Sequence, residues 1–135
     1  MYKHILVPIA PDHPAKSSNS LDIAQRLLAE DGVITLLTVM EPIPSYVAQY
    51  LPAGQQDKNR AEILGDLEKD VAALGNAEAK LAVGHPAREI EDYAENHDVD
   101  LIVIASHRPG LQDYFLGSTA ARVVRHAKCA VHVLR

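Results

Sequence analysis

The sequence predicts an α/β protein built on an open parallel sheet with helices on both of its faces. Five short apolar runs of strand length recur along the 135 residues, and amphipathic helical patterns lie between them. Such alternation implies right-handed crossovers, which make the strands parallel and lay the helices over the sheet. Only six residues are aromatic, five Tyr and one Phe. The core is therefore expected to be built mainly from Leu, Ile, Val and Ala.

The apolar runs predict the five strands. They are short and nearly continuous, which is typical of strands buried on both faces. The third run is the weakest, because its apolar residues alternate with polar ones. The predicted strands are His4–Ile9, Val33–Met40, Ala77–Val83, Leu101–Ala105 and Ala130–Leu134.

Four helices are predicted from apolar stripes at helical spacing. In the first, Gly32 follows the stripe and is expected to end the helix as its C-cap. A proline opens the third helix and a serine the fourth, as is common at helix N-termini. The predicted helices are Ser18–Glu30, Arg60–Leu74, Pro86–His97 and Ser118–His126.

One long irregular stretch, Glu41–Asn59, interrupts this alternation. It contains three prolines and Gly54, together with Tyr46 and Tyr50. A connection of this length in a compact domain predicts either a functional or mobile loop or a hidden short helical turn.

Length, charge and cysteine content exclude several classes of protein. A chain of 135 residues fits one domain with an independent core. The formal net charge of −5 argues against non-specific binding to nucleic acid or to an anionic membrane. The single cysteine, Cys129, cannot form an intramolecular disulfide and is expected to be a small core residue. The histidines show no zinc-ligand spacing with it, so no metal site is predicted.

The N-terminal residues give an expectation about location. They lack the longer apolar region and the small-residue cleavage site of a signal peptide. No stretch approaches the ~18 apolar residues of a membrane span. We therefore expect a cytoplasmic protein.

Two segments are candidates for a binding site, because open α/β sheets bind ligands outside the carboxyl ends of their strands. One is Pro8–Ser20, after the first strand, and the other is Ser106–Thr119, after the fourth.

The second segment has the parts of a phosphate site. Gly117 permits close backbone approach, and Ser118 and Thr119 offer hydroxyl and amide groups at a helix N-terminus. Arg108 and His107 add donors and positive charge. Spacing alone leaves open whether Gly117 and Ser118 bind phosphate or merely cap the helix. Neither G-x-x-x-x-G-K-[ST] nor G-x-G-x-x-G is present, which disfavours a P-loop NTPase and a standard dinucleotide site.

The opening K-H-I-L-V-P-I, the segment G-H-P-A-R-E-I and the C-terminal third resemble the universal stress protein family over the whole chain. The C-terminal third, with I-V-I-A-S-H-R-P and L-G-S-T-A-A-R-V-V-R-H-A-K-C-A-V-H-V-L-R, carries the resemblance most specifically. Its A-S-H-R-P variant is similar to the F- and G-type nucleotide-binding branch. In the motif G-x2-G-x9-G-[ST], Ala105 and Arg108 replace the first two glycines and the spacer is one residue shorter. The F/G-type branch shares this departure.

The resemblance implies a Rossmann-like fold of the adenine nucleotide alpha hydrolase type, with strand order 3-2-1-4-5. It also implies a homodimer. A sheet edge at Ala130–Leu134 is the surface where we expect the two copies to pair. ATP or AMP is the implied ligand, with Mg²⁺ bound only through the nucleotide phosphates.

Individual site residues follow from the resemblance by position. Ala10 replaces the family's usual acid after the first strand, and Asp12 is its expected substitute. The backbone of Val39 would meet the adenine edge, and Gly84 would permit close approach. The implied nucleotide-binding set is Pro8, Ile9, Ala10, Asp12, Val39, Gly84, Ala105, Ser106, His107, Arg108, Gly117, Ser118, Thr119 and Ala120.

The predicted function is a nucleotide-dependent regulatory or interaction module in the stress response. No catalytic residue is predicted, because the sequence shows no general base to orient water, so fast hydrolysis is not expected. Two alternatives stand beside this prediction: a weak ATPase, and a dimeric scaffold that binds no nucleotide.

Overall fold

The computed structural model describes residues 1–11, 17–106 and 117–135, without the side chains of residues 17 and 18. Its strands are β1 (Tyr2–Pro8), β2 (Leu28–Met40), β3 (Ala77–Val83), β4 (Leu101–Ala105) and β5 (Ala130–Leu134). Its helices are α1 (Ser17–Leu27), α2 (Ser45–Ala48), α3 (Gln55–Leu74), α4 (Pro86–Asn96) and α5 (Ser118–His126).

The five strands form one sheet of order β3-β2-β1-β4-β5, with every neighbouring pair parallel. This confirms the predicted fold class and strand order. The chain proceeds outward from β1 to β3 and then returns to β4 on the other side of β1. The strand order therefore reverses between β1 and β4, which is where an open α/β sheet forms its crevice.

The core lies on both faces of the sheet, because side chains alternate along each strand. On one face Ile5 and Val7 of β1 pack with α1 and α3. On the other face Leu6 packs with α4 and α5. Each fully buried Val, Leu or Ile contributes about 1.5–3 kcal/mol relative to exposure, so the two layers hold the strand ends in fixed positions.

The junction between α1 and β2 differs from the prediction. The helix ends at Leu27 rather than Glu30, and the strand already begins at Leu28, which pairs with Tyr2. Gly32 therefore lies inside β2 and is not a helix C-cap. A Cβ at this position would stand 3.0 Å from the carbonyl oxygen of Lys3, so the glycine permits close strand packing. Pairing with β1 overrides the helical periodicity.

The predicted irregular stretch contains one short helix, α2, and the first turn of α3. No residue of α2 is buried. The helix α3 begins at Gln55 instead of Arg60, and it ends at Leu74, followed by the C-cap Gly75, whose φ of 85° suits glycine. Its first turn was missed because the residues Gln55–Asn59 are all polar and show no apolar stripe.

The longest helix, α3, has 20 residues and carries charged side chains along its length. Among the described residues, no helix is long and apolar enough to cross a membrane.

Candidate functional site

A cavity of about 560 Å³ opens at the carboxyl ends of β1, β2 and β4. It lies on the face covered by α4 and α5, at the point where the strand order reverses. Its described lining residues are Pro8, Ile9, Ala10, Pro11, Leu37, Val39, Glu41, Pro86, Ile90, Ile104, Ala105, Ser106, Gly117, Ser118, Thr119 and Ala120. The lining is thus mainly apolar, with the hydroxyl side chains near the start of α5 and the Glu41 carboxylate at the end of β2.

The structure brings most of the predicted nucleotide-binding residues together around this cavity. Those that line it are Pro8, Ile9, Ala10, Val39, Ala105, Ser106, Gly117, Ser118, Thr119 and Ala120. Asp12, His107 and Arg108 lie outside the described residues.

Gly84 does not line the cavity. It follows β3, which is the edge strand beyond β2, so it lies one strand further from the crevice. Its amide donates to the carbonyl of Met40 at 2.9 Å. A Cβ on Gly84 would stand 2.5 Å from the Glu89 carboxylate oxygen, so close approach here involves Glu89.

Several lining residues escaped the sequence analysis. They are Pro11, Leu37, Glu41, Pro86, Ile90 and Ile104. Leu37, Val39 and Glu41 are spaced by two, so alternation along β2 was a usable signal. Pro86 and Ile90 could be predicted only once it was known that the first turns of α4 cover the end of β2.

The end of β1 is fixed by two hydrogen bonds from or to Ile9. Its amide donates to the carbonyl of Leu37 at 2.9 Å, and its carbonyl accepts from the Thr38 hydroxyl at 2.9 Å. Thr38 is buried, so this side-chain contact is shielded from water. These two bonds hold Ile9 beside β2 at the floor of the cavity.

The backbone of Val39 faces the space beyond the end of β1. In a parallel ladder, alternate residues direct both N–H and C=O to the same neighbouring strand. Leu37 uses its carbonyl toward β1 and Met40 toward β3, so Val39 points to the β1 side. The β1–β2 pairing has ended by then, with Pro8 opposite Leu37. Val39 therefore presents a donor and an acceptor side by side at the cavity.

The N-terminus of α5 forms the opposite end of the cavity. The carbonyl of Ser106 accepts from the amide of Gly117, which ties the helix start to the end of β4. The first bond within the helix runs from the amide of Ala121 to the carbonyl of Gly117 at 2.8 Å. The preceding amides, those of Ser118, Thr119 and Ala120, thus lack partners inside the helix. Together with the helix dipole they favour an anion.

The N-terminus of α4 also borders the cavity but already has a negative charge nearby. Glu89 lies in its first turn, with its amide bonded to the carbonyl of His85 at 2.9 Å. Its carboxylate complements the dipole of α4 and would repel a phosphate. The two helix starts are therefore not equivalent, and α5 is the one suited to an anion.

The single cysteine, Cys129, lies outside the cavity. Cys129 packs half-buried against the α4–α5 core. Burial raises the pKa of its thiol, and the Asp100 carboxylate adds to this, which disfavours the reactive thiolate. In the described part of the chain, no group of three or more His, Cys, Asp or Glu could hold a metal ion.

Comparison with known proteins identifies the relatives of this chain. A model of the universal stress protein family matches residues 1–135. A universal stress protein of Methanothermobacter thermautotrophicus is 31% identical, covering all of this chain and 97% of the relative. Universal stress protein G of Escherichia coli O157:H7 is 28% identical, covering all of both chains.

Solved structures show the same architecture. Universal stress protein UspA from Lactobacillus plantarum superposes with a TM-score of 0.79 at 27% identity, over 99% of this chain and 98% of that one. An Arabidopsis thaliana family protein with AMP bound gives 0.66 at 21% identity, over 98% and 90% of the two chains. A universal stress protein in complex with cAMP gives 0.70 at 22% identity, over 99% and 97%. The family model and these relatives, together with the sheet order and the cavity at its switch point, show that the chain belongs to the universal stress protein family.

Proposed function

We propose that this chain binds an adenine nucleotide, ATP or AMP, in the cavity at the carboxyl ends of β1, β2 and β4. In this proposal it acts in the cytoplasm as a nucleotide-dependent regulatory or interaction module of the stress response. One observation carries the proposal: a single cavity joins the free amides of the α5 N-terminus to the unpaired edge of Val39.

The cavity has a polarity that matches a nucleotide. Its α5 end suits phosphate, because the first-turn amides and about half a positive charge point into it. Its β2 end suits a purine, because Leu37, Val39 and Ile90 provide apolar surface beside the Val39 backbone groups. A flat base needs both apolar faces and a few placed polar groups at its edge.

Family members with bound nucleotide support the ligand class. The Arabidopsis thaliana protein holds AMP and another family member holds cAMP. Both ligands contain adenine and at least one phosphate. We extend the proposal to ATP, with Mg²⁺ held through its phosphates, because the start of α5 is where further phosphates would be accommodated.

A pair of variants at Ser118 tests the phosphate end. Ser118 is exposed at the first position of α5, where an acid favours the helix dipole and does not disturb folding. Ser118→Asp is expected to weaken ATP and AMP binding by about tenfold or more, because the carboxylate repels the phosphate. Ser118→Asn introduces a side chain of the same shape as Asp but without its charge. It is the matched control and should bind within about threefold of wild type. Calorimetric titration measures both.

Two results would contradict the proposal. No heat with either nucleotide, together with no retained nucleotide in the native mass spectrum, would favour the scaffold that binds none. If Ser118→Asp and wild type bind the nucleotide equally well, the phosphate does not bind at the start of α5.

We propose binding rather than turnover as the main activity. Glu41 lines the cavity at the end of β2, and β1 separates β2 from β4, the strand that leads to α5. A general base for hydrolysis must lie within hydrogen-bond reach of the water that attacks the terminal phosphate. With the phosphates at the start of α5, we do not expect Glu41 to serve as that base. Phosphate release well above background that disappears in Ser118→Asp but not in Ser118→Asn would favour the weak ATPase instead.

Bound nucleotide could change the exposed segment 42–54, because this segment adjoins the cavity. The segment 42–54 begins next to Glu41, which lines the cavity, and it contains α2. Tyr46 and Tyr50 are 69% and 81% exposed, and no residue of α2 is buried. We propose that ligand binding orders this segment and so changes an apolar surface that partner proteins can contact.

A homodimer through β5 is also part of the proposal. This strand is at the sheet edge, and the carbonyl of Leu134 points to β4, where it accepts from Ser106 at 2.7 Å. Alternate residues point the other way, so Val131 and Val133 direct their backbone groups outward. An uncovered edge of this kind is a template for a partner strand.

A further inference from the structure

We infer that Glu41 is a specificity-determining residue, whose carboxylate recognises the exocyclic amino group of the adenine base. The inference rests on the proposed function. Among the described residues that line the cavity, Glu41 has the only ionisable side chain.

The position of Glu41 follows from the alternation of β2. Leu37, Val39 and Glu41 all line the cavity, at a spacing of two residues. Side chains two apart share a face of a strand, so Glu41 continues the row that Leu37 and Val39 begin. It follows Met40, the last residue of β2, and is exposed at the cavity rim.

The phosphate end fixes which part of the ligand reaches Glu41. The start of α5 lies beyond β4, and β1 separates β4 from β2. The ends of β2 and β4 are therefore about 10 Å apart, or two inter-strand spacings. A ribose stays close to its 5′ phosphate, whereas the far edge of the base reaches across this distance. Glu41 thus meets the base and not the sugar.

The chemistry at this edge distinguishes adenine from a 6-oxo purine. The 6-amino group has two N–H donors: one can bond the Val39 carbonyl, and the other can bond the Glu41 carboxylate. An ionised carboxylate only accepts hydrogen bonds. In hypoxanthine an oxo group occupies the same place, and its lone pairs would face both acceptors. The arrangement should therefore favour AMP over IMP.

Calorimetric titrations of AMP, IMP and 2′-deoxy-AMP against wild type and Glu41→Gln test the inference. Wild type is expected to bind AMP about tenfold more tightly than IMP, as one charged hydrogen bond implies. Glu41→Gln should weaken AMP binding about threefold or more, because its amide oxygen accepts from the 6-amino group without a charge, and should strengthen IMP binding, because its amide N–H can donate to the 6-oxo group. Glu62→Gln, an exposed acid on α3, is the matched control and should change neither.

The outcomes separate this inference from the function on which it rests. If wild type binds AMP and Glu41→Gln binds it equally well, the role of Glu41 is overturned and the proposed function stands. If Glu41→Gln instead abolishes a preference for AMP over 2′-deoxy-AMP, Glu41 contacts the ribose and the inference is wrong. If wild type binds neither AMP nor IMP, the inference about Glu41 and the proposed function are both wrong.

Discussion

A buried hydroxyl, that of Thr35, joins three elements at the amino end of the sheet. It donates to Glu78 Oε1 at 3.0 Å and shares a hydrogen bond of 2.8 Å with His4 Nε2. His4 Nδ1 lies 3.0 Å from the carbonyl oxygen of His97. Tyr93 OH donates to the same Glu78 oxygen at 3.4 Å, and burial raises the pKa of this phenol. The cluster ties β1, β2, β3 and α4 together.

Removing that hydroxyl should destabilise the fold without affecting the cavity. Thr35→Val keeps the shape of the side chain but leaves Glu78 and His4 without their shared partner. We expect the free energy of unfolding to fall by about 1–3 kcal/mol. Urea denaturation measures the loss, and Thr35→Ser, which keeps the hydroxyl, should lose less. AMP affinity is expected to stay at the wild-type value, because the cluster lies at the opposite end of the strands. A stable Thr35→Val protein would mean that the cluster does not hold the fold.

No sequence pattern could have predicted this cluster. His4 and Thr35 are 31 residues apart, and Thr35 and Glu78 are 43 residues apart. In the sequence each lies in an apolar or alternating run that indicates only a strand. Their partnership depends on the register of three strands, which becomes known with the fold.

At the scale of elements, the sequence pattern predicted the bounds of those strands and helices whose ends are determined by nearby residues. The bounds of β3, β4, β5 and α5 agree with the prediction, because their apolar runs and capping residues lie within each element. The α1–β2 junction did not, because Leu28 is set by pairing with Tyr2. The cavity follows the same division. Val39 was expected at the cavity from the family resemblance. Pro86 and Ile90 depended on how α4 packs, which no local pattern shows.

The edge strand β5 gives a prediction that separates dimerisation from folding. The backbone of Val133 points away from β4, so Val133→Pro removes an outward N–H and leaves the β4–β5 ladder intact. The backbone of His132 points toward β4, so His132→Pro removes a bond within the sheet. We expect Val133→Pro to be a folded monomer and His132→Pro to lose several degrees of thermal stability.

Light scattering and thermal unfolding of the two variants test this expectation. Wild type should scatter as a dimer at micromolar concentration. A wild-type monomer, or a Val133→Pro protein that remains dimeric, would place any interface elsewhere than β5.

At the scale of the whole molecule, the two ends of the sheet have different tasks. At the amino end, Asp100 accepts from the amides of Lys3 and His4 at 2.9 Å, and the Thr35 cluster lies beside it. At the carboxyl end the strands stop, and their unpaired backbone groups line the cavity. The same parallel arrangement thus supplies a polar closure at one end and an open site at the other.

This division predicts how nucleotide changes the stability of the molecule. A ligand that binds only the folded state at 100 times its dissociation constant raises the free energy of unfolding by about 2.7 kcal/mol. Amides that exchange hydrogen through global unfolding, such as those near Thr35, should all gain that same protection. Amides that exchange through local opening do not gain this protection. Their exchange should slow only where the ligand covers them, at Val39 and in the first turn of α5. Hydrogen-exchange mass spectrometry with saturating AMP would show this pattern in wild type and lose it in Ser118→Asp. Uniform protection without extra slowing at these two places would mean that the nucleotide binds outside the cavity.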